Sequence, residues 1–324
     1  MTGSPTVHPA LTHDVAVVGG GPAGLSAAIA LARSRRSVVL VDAGEPRNAP
    51  AAGAHNVLGQ EGVPPLELLR RGRAEAEAYG VERRHGRVEA VRRDDSGFAL
   101  SLEDGATLRV RRLVLATGLV DELPDVPGVA ELWGRSVLHC PYCHGWEVRD
   151  LRVGVLATSA MSVHQALLFR QLTDHLTLFL HTVDDLGDEA WEQLGALGVE
   201  VVTGVVDRLR SEAGELRAVV LQGGPEVAVD ALVVAPRFVA RGDLYQQLGG
   251  TLTDHPMGAF VETDPMGRTA VDGVWAAGNS RDLSAMVSAS SADGVRAGAA
   301  VNADLVMADT AAAVEARRSG AVAV

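Results

Sequence analysis

The chain has 324 residues and a formal net charge of −12 at pH 7, and at about 150 residues per domain this length predicts two domains. Apolar residues make up 47% of it, which argues against a globally disordered chain. The acidic balance argues against nucleic acid or an anionic membrane as a partner. All 29 basic residues are arginine, which excludes a P-loop lysine and a lysine Schiff base.

Two further features of the sequence bear on where the protein works. No stretch reaches about 18 uninterrupted apolar residues, so no membrane span is expected. The segment from Met1 to Asp14 lacks the basic and apolar regions of a secretory signal. We therefore expect a cytoplasmic protein.

The first segments in chain order predict a nucleotide-binding βαβ unit. Residues 14–18 and 37–41 are short apolar runs typical of buried parallel strands, and residues 25–34 between them are rich in Ala and Leu, as in a helix. The first strand runs into a Gly-x-Gly-x-x-Gly loop, a pattern that permits a tight turn, close approach of a pyrophosphate and close packing of the helix. The predicted phosphate-binding residues at the helix N-terminus are Gly19, Gly21, Pro22, Ala23 and Gly24.

An acidic residue follows this loop at the distance expected for a dinucleotide site. Asp42 ends the second strand, 18 residues after Gly24, where its carboxylate can accept hydrogen bonds from ribose hydroxyls. The fingerprint alone does not distinguish FAD from NAD.

The rest of the chain predicts a second domain inserted into the first. Residues 81–114 alternate and turn at 94–97, which indicates a small β-meander, and a strand at 112–115 ends at Ala116-Thr117-Gly118. Later strands are predicted at 152–156, 176–180, 199–202, 218–221, 231–234 and 274–277, with helices at 161–173 and after 279. We predict an α/β fold with two Rossmann-like, three-layer ββα domains: a dinucleotide-binding domain of residues 1–118 and 237–324, and an inserted domain of residues 119–236.

The inserted domain carries the only two cysteines of the chain. Cys140 and Cys143 have the Cys-x-x-Cys spacing of a redox-active pair, and they are too few for a disulfide scaffold. The flanking His139 and His144 are candidate acid–base groups. Three other interpretations remain open: a c-type haem site, which would require export, a zinc site completed by histidine, and an inert buried pair. The position between two nucleotide-type units favours the redox-active pair.

Together these motifs resemble the low-molecular-weight thioredoxin reductase family of FAD flavoproteins, over residues 14–308. The resemblance implies that Cys143 faces the flavin, that Cys140 exchanges with an external dithiol or disulfide, and that His144 stands where relatives carry an acidic proton donor. It also implies a homodimer, with a small dithiol or disulfide or a thioredoxin-like protein as partner. The first glycine loop would bind the FAD pyrophosphate, and the further FAD-contacting positions would be Asp42, Ala116, Thr117, Gly118, Gly278, Asn279 and Met286.

The sequence after the second strand resembles one subgroup, the dithiol oxidases of disulfide natural products of the gliotoxin and holomycin type. In that resemblance Arg47, Asn48 and Asn56 lie close to FAD. Two flavin-side positions differ from most relatives, since Asn279 replaces an aspartate and Met286 a glutamine. Asparagine keeps an acceptor oxygen, so FAD binding is expected to survive.

The inserted domain departs from the family at its own glycine loop. Ala157, Ser159 and Ser162 occupy positions where relatives have the glycines or small residues that bind NADPH, and an added Cβ crowds the approach of a pyrophosphate. Asp184 and Asp185 stand where relatives hold the NADPH 2′-phosphate with basic residues. Loss of NADPH binding is therefore expected.

The leading hypothesis is a dithiol–disulfide oxidoreductase without a pyridine nucleotide. A substrate dithiol would reduce the Cys140–Cys143 pair, the pair would reduce FAD, and oxygen or another acceptor would reoxidise it. Electron flow from a protein donor towards a disulfide would use the same residues. Two alternatives stay open: a conventional NAD(P)H-dependent thioredoxin reductase, and a flavin-based redox sensor without turnover.

Overall fold

The computed structural model describes residues 11–159 and 161–320. The segment from Met1 to Asp14, in which no secretory signal is predicted, therefore lies mostly outside the described residues. The helices are α1 (Pro22–Arg33), α2 (Pro65–Ala78), α3 (Val129–Leu132), α4 (Pro141–His144), α5 (Met161–Arg170), α6 (Asp188–Ala196), α7 (Asp243–Gln247) and α8 (Val287–Arg318). The strands are β1 (His13–Val18), β2 (Val38–Asp42), β3 (Glu82–His85), β4 (Val88–Asp94), β5 (Gly97–Leu102), β6 (Thr107–Leu115), β7 (Leu119–Glu122), β8 (Val137–Leu138), β9 (Val153–Leu156), β10 (Leu176–Phe179), β11 (Glu200–Val202), β12 (Val206–Glu212), β13 (Glu215–Leu221), β14 (Glu226–Ala228), β15 (Ala231–Val233), β16 (Arg237–Ala240), β17 (Thr253–His255), β18 (Gly258–Phe260) and β19 (Val274–Ala276).

The chain divides into two compact units. Unit 1 comprises Met1–Arg47, Leu66–Val120 and Val239–Val324, and unit 2 comprises Asn48–Pro65 and Asp121–Phe238. The segment Asn48–Pro65 therefore groups with the later part of the chain, a membership that its sequence does not indicate.

Unit 1 is built on a seven-stranded sheet of order β3-β2-β1-β6-β5-β4, in which β19 also pairs with β6. The parallel pairing of β1 with β2, joined by α1, is the predicted βαβ unit, and β6 pairs in parallel with the other side of β1. The predicted meander is present as β4, β5 and β6, with its turn between Asp94 and Gly97. The sheet forks along β6, because its first residues pair with β5 and its last three with β19.

The period-2 alternation of β1 gives the two faces of this sheet separate apolar cores. Val15 and Val17 pack with α1 and α8 in one core, and Ala16 and Val18 pack with the β4–β5 hairpin in the other. All four side chains are buried, which explains why the strand reads as a continuous apolar run. The same burial on both faces confirms the predicted α/β class.

Helix α8 crosses α1 at close range because it has glycine at the contact. A Cβ on Gly294 would lie 2.0 Å from Ala23 O, and one on Gly298 would lie 2.9 Å from Ala27 O. The 32-residue α8 is the Ala-rich helix predicted after residue 279. Among the described residues no helix is long and apolar enough to cross a membrane.

Unit 2 contains a five-stranded parallel sheet of order β11-β10-β9-β15-β8 and an antiparallel sheet of order β12-β13-β14. The succession β9, α5, β10 is the second predicted βαβ pattern. Helix α5 ends at Arg170, three residues earlier than predicted, where the chain turns with a hydrogen bond from Leu172 N to Phe169 O (2.9 Å). Helices α2 and α6 are absent from the sequence prediction.

Candidate redox-active site

The strand-to-helix turn of unit 1 requires glycine at two of its predicted positions. Gly19 has a φ of +104°, and a Cβ there would lie 2.2 Å from Ala116 O. A Cβ on Gly24 would lie 1.8 Å from Gly19 O, so α1 starts packed directly on the turn. These are the tight turn and the close helix packing that the motif predicts.

Gly21, by contrast, faces open space. A Cβ placed on it meets no atom within 4 Å outside its chain neighbours. Gly21 is the N-cap of α1, Pro22 is the first helical residue, and no side chain caps this end. The first N–H groups of the helix and its positive dipole end are therefore directed at space that an anion can fill. The residues present fit the pyrophosphate of FAD.

The carboxylate of Asp42 lies against the same loop. Its Oδ1 accepts a hydrogen bond from Gly20 N (3.0 Å), and its Oδ2 accepts one from Arg73 Nη2 (3.3 Å). Gly20 occupies the variable position between the first two glycines of the motif. A Cβ on it would lie 2.4 Å from Asp42 Cγ, so this position also favours glycine. Each carboxylate oxygen has a second lone pair, which leaves Asp42 able to accept from ribose hydroxyls as predicted.

The segment Ala116–Gly118 lies at the edge where β1 and β6 both end. Ala116 N donates to Val18 O (2.8 Å), and Thr117 Oγ1 donates to Arg241 O (2.8 Å). Gly118 has a φ of +69°. The end of β6 is thus brought beside the glycine loop, as ligand sites at the carboxyl ends of parallel strands require.

Asn279 lies in the turn after β19 with its amide orientation fixed. Its Nδ2 donates to Asp282 O (3.0 Å) and Ala285 O (2.9 Å), and its Oδ1 lies 3.5 Å from Arg47 Nη1. An aspartate would place only acceptors against those two carbonyl oxygens, which is why this turn suits asparagine. Arg47 and Asn279, both predicted to contact FAD, meet in unit 1.

A buried carboxylate that the sequence analysis did not identify holds the same turn. Asp293 of α8 accepts a hydrogen bond from Gly278 N (2.8 Å) and pairs with Arg281, whose Nε donates to Thr263 Oγ1 (2.7 Å). Met286, the remaining predicted flavin-side residue, is the N-cap of α8. An acidic residue within an Ala-rich helix was the available signal for Asp293.

Replacing Asp293 by alanine is expected to lower the free energy of unfolding by about 3 kcal/mol, since Arg281 loses its buried partner and Gly278 N its acceptor. Chemical denaturation of the apoprotein measures this loss. Asp293→Asn is the matched control, because it keeps an acceptor for Gly278 N and should lose less. Equal losses in the two variants would contradict the assigned contacts.

In unit 2, the cysteine pair occupies a single helical turn after β8. Cys140 precedes α4 and Cys143 lies within it, so the two Sγ atoms are 2.6 Å apart, placed to close and open a disulfide. The backbone N–H groups of Cys143 and His144 lie 3.3 and 3.2 Å from Cys140 O. Gly145 ends the turn where a Cβ would lie 2.2 Å from Pro141 O.

The two histidines that flank the pair have different surroundings. His139 Nδ1 donates to Val234 O (3.0 Å), and its ring makes an edge contact with Phe238, so it is anchored to the sheet. His144 Nε2 is buried and has no hydrogen-bond partner among the described residues. Burial is the largest influence on the His144 imidazole and lowers its pKa, which favours the neutral form. The unpartnered Nε2 keeps His144 a candidate for proton transfer, as the sequence predicts.

The second glycine-loop position, between β9 and α5, is closed by side chains. Ser162 Oγ accepts a hydrogen bond from Thr158 N (3.2 Å), and Ser162 N donates to Ser159 O (3.0 Å). Ser162 and Ala157 are fully buried. A loop N–H group is thus bonded internally instead of being presented to an anion.

The loop after β10 carries negative charge. Asp185 Oδ1 accepts a hydrogen bond from Trp191 Nε1 (2.9 Å), and this bond, with backbone N–H groups, lowers the pKa of Asp185. Asp184 beside it is exposed. Two carboxylates therefore occupy the region that the sequence predicts for the 2′-phosphate.

The residues predicted near FAD after β2 fall in both units. Arg47 belongs to unit 1, whereas Asn48 and Asn56 belong to unit 2. Asn48 O accepts a turn hydrogen bond from Ala51 N (3.1 Å). Asn56, with a φ of +57°, donates from Nδ2 to Tyr142 O (2.7 Å), so it contacts the turn that carries the cysteines. Contact of these residues with FAD stays a prediction.

Comparison with known proteins shows which family the chain belongs to. A family model described as pyridine nucleotide-disulphide oxidoreductase matches residues 13–298. The chain is 34% identical to the thioredoxin reductase sirT of Leptosphaeria maculans over 318 residues, covering 92% of this chain and 96% of that protein. It is also 34% identical to the thioredoxin reductase tcpT of Claviceps purpurea over 277 residues, covering 82% and 86%.

Solved structures agree with these matches. The crystal structure of HlmI has a TM-score of 0.89 and 46% identity, and the match covers 95% of this chain and 97% of that one. The likenesses confirm the fold and the resemblance that the motifs predict.

Proposed function

Because the chain belongs to the pyridine nucleotide-disulphide oxidoreductase family and is a thioredoxin reductase-like FAD flavoprotein, we propose that it oxidises dithiols without NADPH. The observation that carries the proposal is the contrast between its two glycine loops. In unit 1, Gly21 faces open space at an uncapped helix start. In unit 2, Ser162 Oγ accepts a hydrogen bond from Thr158 N, so this N–H is not available to a phosphate. Asp184 and Asp185 add negative charge in the loop after β10.

The cysteine pair supplies the thiol chemistry. A substrate thiol attacks the Cys140 sulfur, the Cys140–Cys143 bond breaks, and a mixed disulfide forms. His144 takes the proton of the attacking thiol and returns it to the departing Cys143 sulfur. The second substrate thiol then attacks the substrate sulfur of the mixed disulfide, which forms the product disulfide and leaves Cys140 as a thiol.

This exchange leaves two electrons and two protons on the cysteine pair. Bound FAD would accept them and pass them to oxygen, giving hydrogen peroxide. The family resemblance and the turn geometry support the proposed roles of Cys140, Cys143 and His144. We further propose a cytoplasmic homodimer that acts on a small dithiol or a thioredoxin-like protein.

An anaerobic spectral titration of the FAD-loaded protein tests the proposal. We expect dithiothreitol to bleach the flavin band, NADPH and NADH to leave it unchanged within minutes, and air to restore it with release of hydrogen peroxide. A conventional thioredoxin reductase in the same buffer is the positive control. Rapid bleaching by NADPH would instead identify a conventional reductase. A flavin that changes redox state with no dithiol or disulfide turnover would identify a sensor.

A further inference from the structure

The turn that carries the cysteines is bonded by two side-chain amides from elsewhere in unit 2. Asn56 Nδ2 donates to Tyr142 O, between the cysteines, at 2.7 Å. Gln165 Nε2, on α5, donates to His139 O, directly before Cys140, at 2.9 Å. The donors are 86 and 26 residues away from their acceptors in the sequence. The turn is therefore fastened at two points by donors outside it, in addition to its own hydrogen bonds.

The loop that carries Asn56 is closed by its own hydrogen bonds. Ala54 N donates to Val63 O (2.8 Å), and Gly62 N donates to Ala54 O (3.0 Å). Asn56 N donates to Glu61 Oε2 (2.9 Å), and Asn56 has a φ of +57°, a conformation that asparagine adopts more readily than most residues. The backbone of Asn56 is therefore fixed independently of the bond from its side chain to the cysteine turn.

Gln165 is fixed just as firmly, since its side chain is only 8% exposed. Besides donating to His139 O, its Nε2 lies 3.2 Å from Val234 O, which also accepts a hydrogen bond from His139 Nδ1 (3.0 Å). A carbonyl oxygen can only accept, so both contacts need the NH2 end of the amide, which determines the orientation of Gln165. The residue before Cys140 is thereby fastened to α5 through its own carbonyl group.

We infer that Asn56 and Gln165 are positioning residues that favour the disulfide form of the Cys140–Cys143 pair. The inference rests on the proposed function and adds two residues to it, which act through the main-chain carbonyl groups next to the cysteines. A disulfide requires Cβ atoms about 3.8 Å apart, whereas two thiols tolerate a wider range of separations. A turn that is already fixed loses less conformational freedom when the S–S bond forms. Loss of either donor should therefore shift the pair towards the dithiol.

This preference bears on the direction of electron flow in the proposed reaction. Each turnover leaves the pair as a dithiol, and the S–S bond must form again while two electrons and two protons leave the pair. A pair that favours the disulfide passes these electrons to the bound flavin more completely. Asn56 would thus serve the cysteine turn in addition to the contact with FAD predicted for it.

The test is the equilibrium of the FAD-loaded protein with reduced and oxidised dithiothreitol at fixed ratios under anaerobic conditions. The dithiol of the pair and oxidised dithiothreitol exchange two electrons and two protons, which gives the disulfide of the pair and reduced dithiothreitol. Alkylation traps the free thiols, and the intact mass reports the fraction of dithiol. Because the chain has only two cysteines, every trapped thiol belongs to the pair.

Two variants each remove one donor. Asn56→Gly leaves a residue that adopts the positive φ without strain. Gln165→Met keeps an unbranched side chain of similar length in the buried position. Each variant should lower the equilibrium constant for disulfide formation about fivefold. Leu58→Ala changes a fully exposed side chain of the loop that carries Asn56 and is the control, with no shift expected.

An unchanged equilibrium constant in Asn56→Gly, or a shift towards the disulfide, would overturn the inference for Asn56, even where the variant binds FAD more weakly. The same outcomes in Gln165→Met would overturn it for Gln165, and Gln165→Leu takes the place of that variant if it does not fold. Failure of dithiothreitol to bleach the native flavin would overturn the proposed function alone, since the trapped thiols still report on the pair.

Discussion

Cys143→Ser is expected to lower the rate of flavin reduction by a dithiol at least about a thousandfold, because a hydroxyl cannot replace the thiolate that receives the electrons and passes them on. Cys140→Ser should give a similar loss, since the proposed mechanism uses the two sulfurs, 2.6 Å apart, as one redox unit. Stopped-flow absorbance at the flavin band under anaerobic conditions measures both.

Tyr142→Phe is the matched control for the cysteine variants. Tyr142 lies between the two cysteines, its side chain is exposed, and its contact with Asn56 uses the backbone carbonyl, which the substitution keeps. This variant should reduce its flavin at close to the native rate. All three proteins should purify with native FAD content. Substantial dithiol-dependent reduction in Cys143→Ser would exclude the cysteine pair as the route for electrons.

Two glycines of the first loop are expected to respond differently to alanine. Gly24→Ala places a Cβ 1.8 Å from Gly19 O, so α1 must move off the turn, and the apoprotein should lose about 3 kcal/mol of unfolding free energy. Gly21→Ala meets open space at a φ of −75°, so apoprotein stability should change by less than about 1 kcal/mol. The same Cβ would occupy the space of the pyrophosphate, and FAD should bind at least about tenfold more weakly.

Denaturation of the apoproteins and titration with FAD, followed by quenching of flavin fluorescence, separate these two effects. Gly105→Ala is a control for strain, since Gly105 has a φ of +82° in a surface turn far from the loop in sequence. It should lose stability without a specific loss of FAD affinity. Unchanged FAD affinity in Gly21→Ala would show that the pyrophosphate does not approach this residue.

The fold was predictable where local patterns carry the information. Strands β1 and β2 and helix α1 were predicted to within a few residues, because apolar runs and a glycine loop encode them directly. Helix α2 was missed, although Pro65 starts it and Leu69 and Ala76 recur on its buried face seven residues apart. Many of the other residues of α2 are charged and exposed, so the helical spacing of its few buried apolar residues was not recognised.

The site was predictable only for residues with a motif. Gly19, Gly24 and the cysteine pair were identified from spacing alone. Asn56 could not be placed on the cysteine turn, because its partner is the backbone carbonyl of Tyr142, which no side-chain pattern encodes. The same limit applies to Asp293, whose role depends on a backbone N–H fifteen residues earlier in the chain.

The closed loop of unit 2 constrains how this protein could change during evolution. Ser162→Gly alone would introduce one glycine of a nucleotide fingerprint. It would also remove the acceptor of Thr158 N and leave a cavity where the fully buried Ser162 side chain now packs. Ala157, Ser159 and the acidic pair at 184–185 would still oppose a phosphate. If the proposed function holds, this first step towards a nucleotide site would cost stability before it could improve binding, so several substitutions would have to occur together.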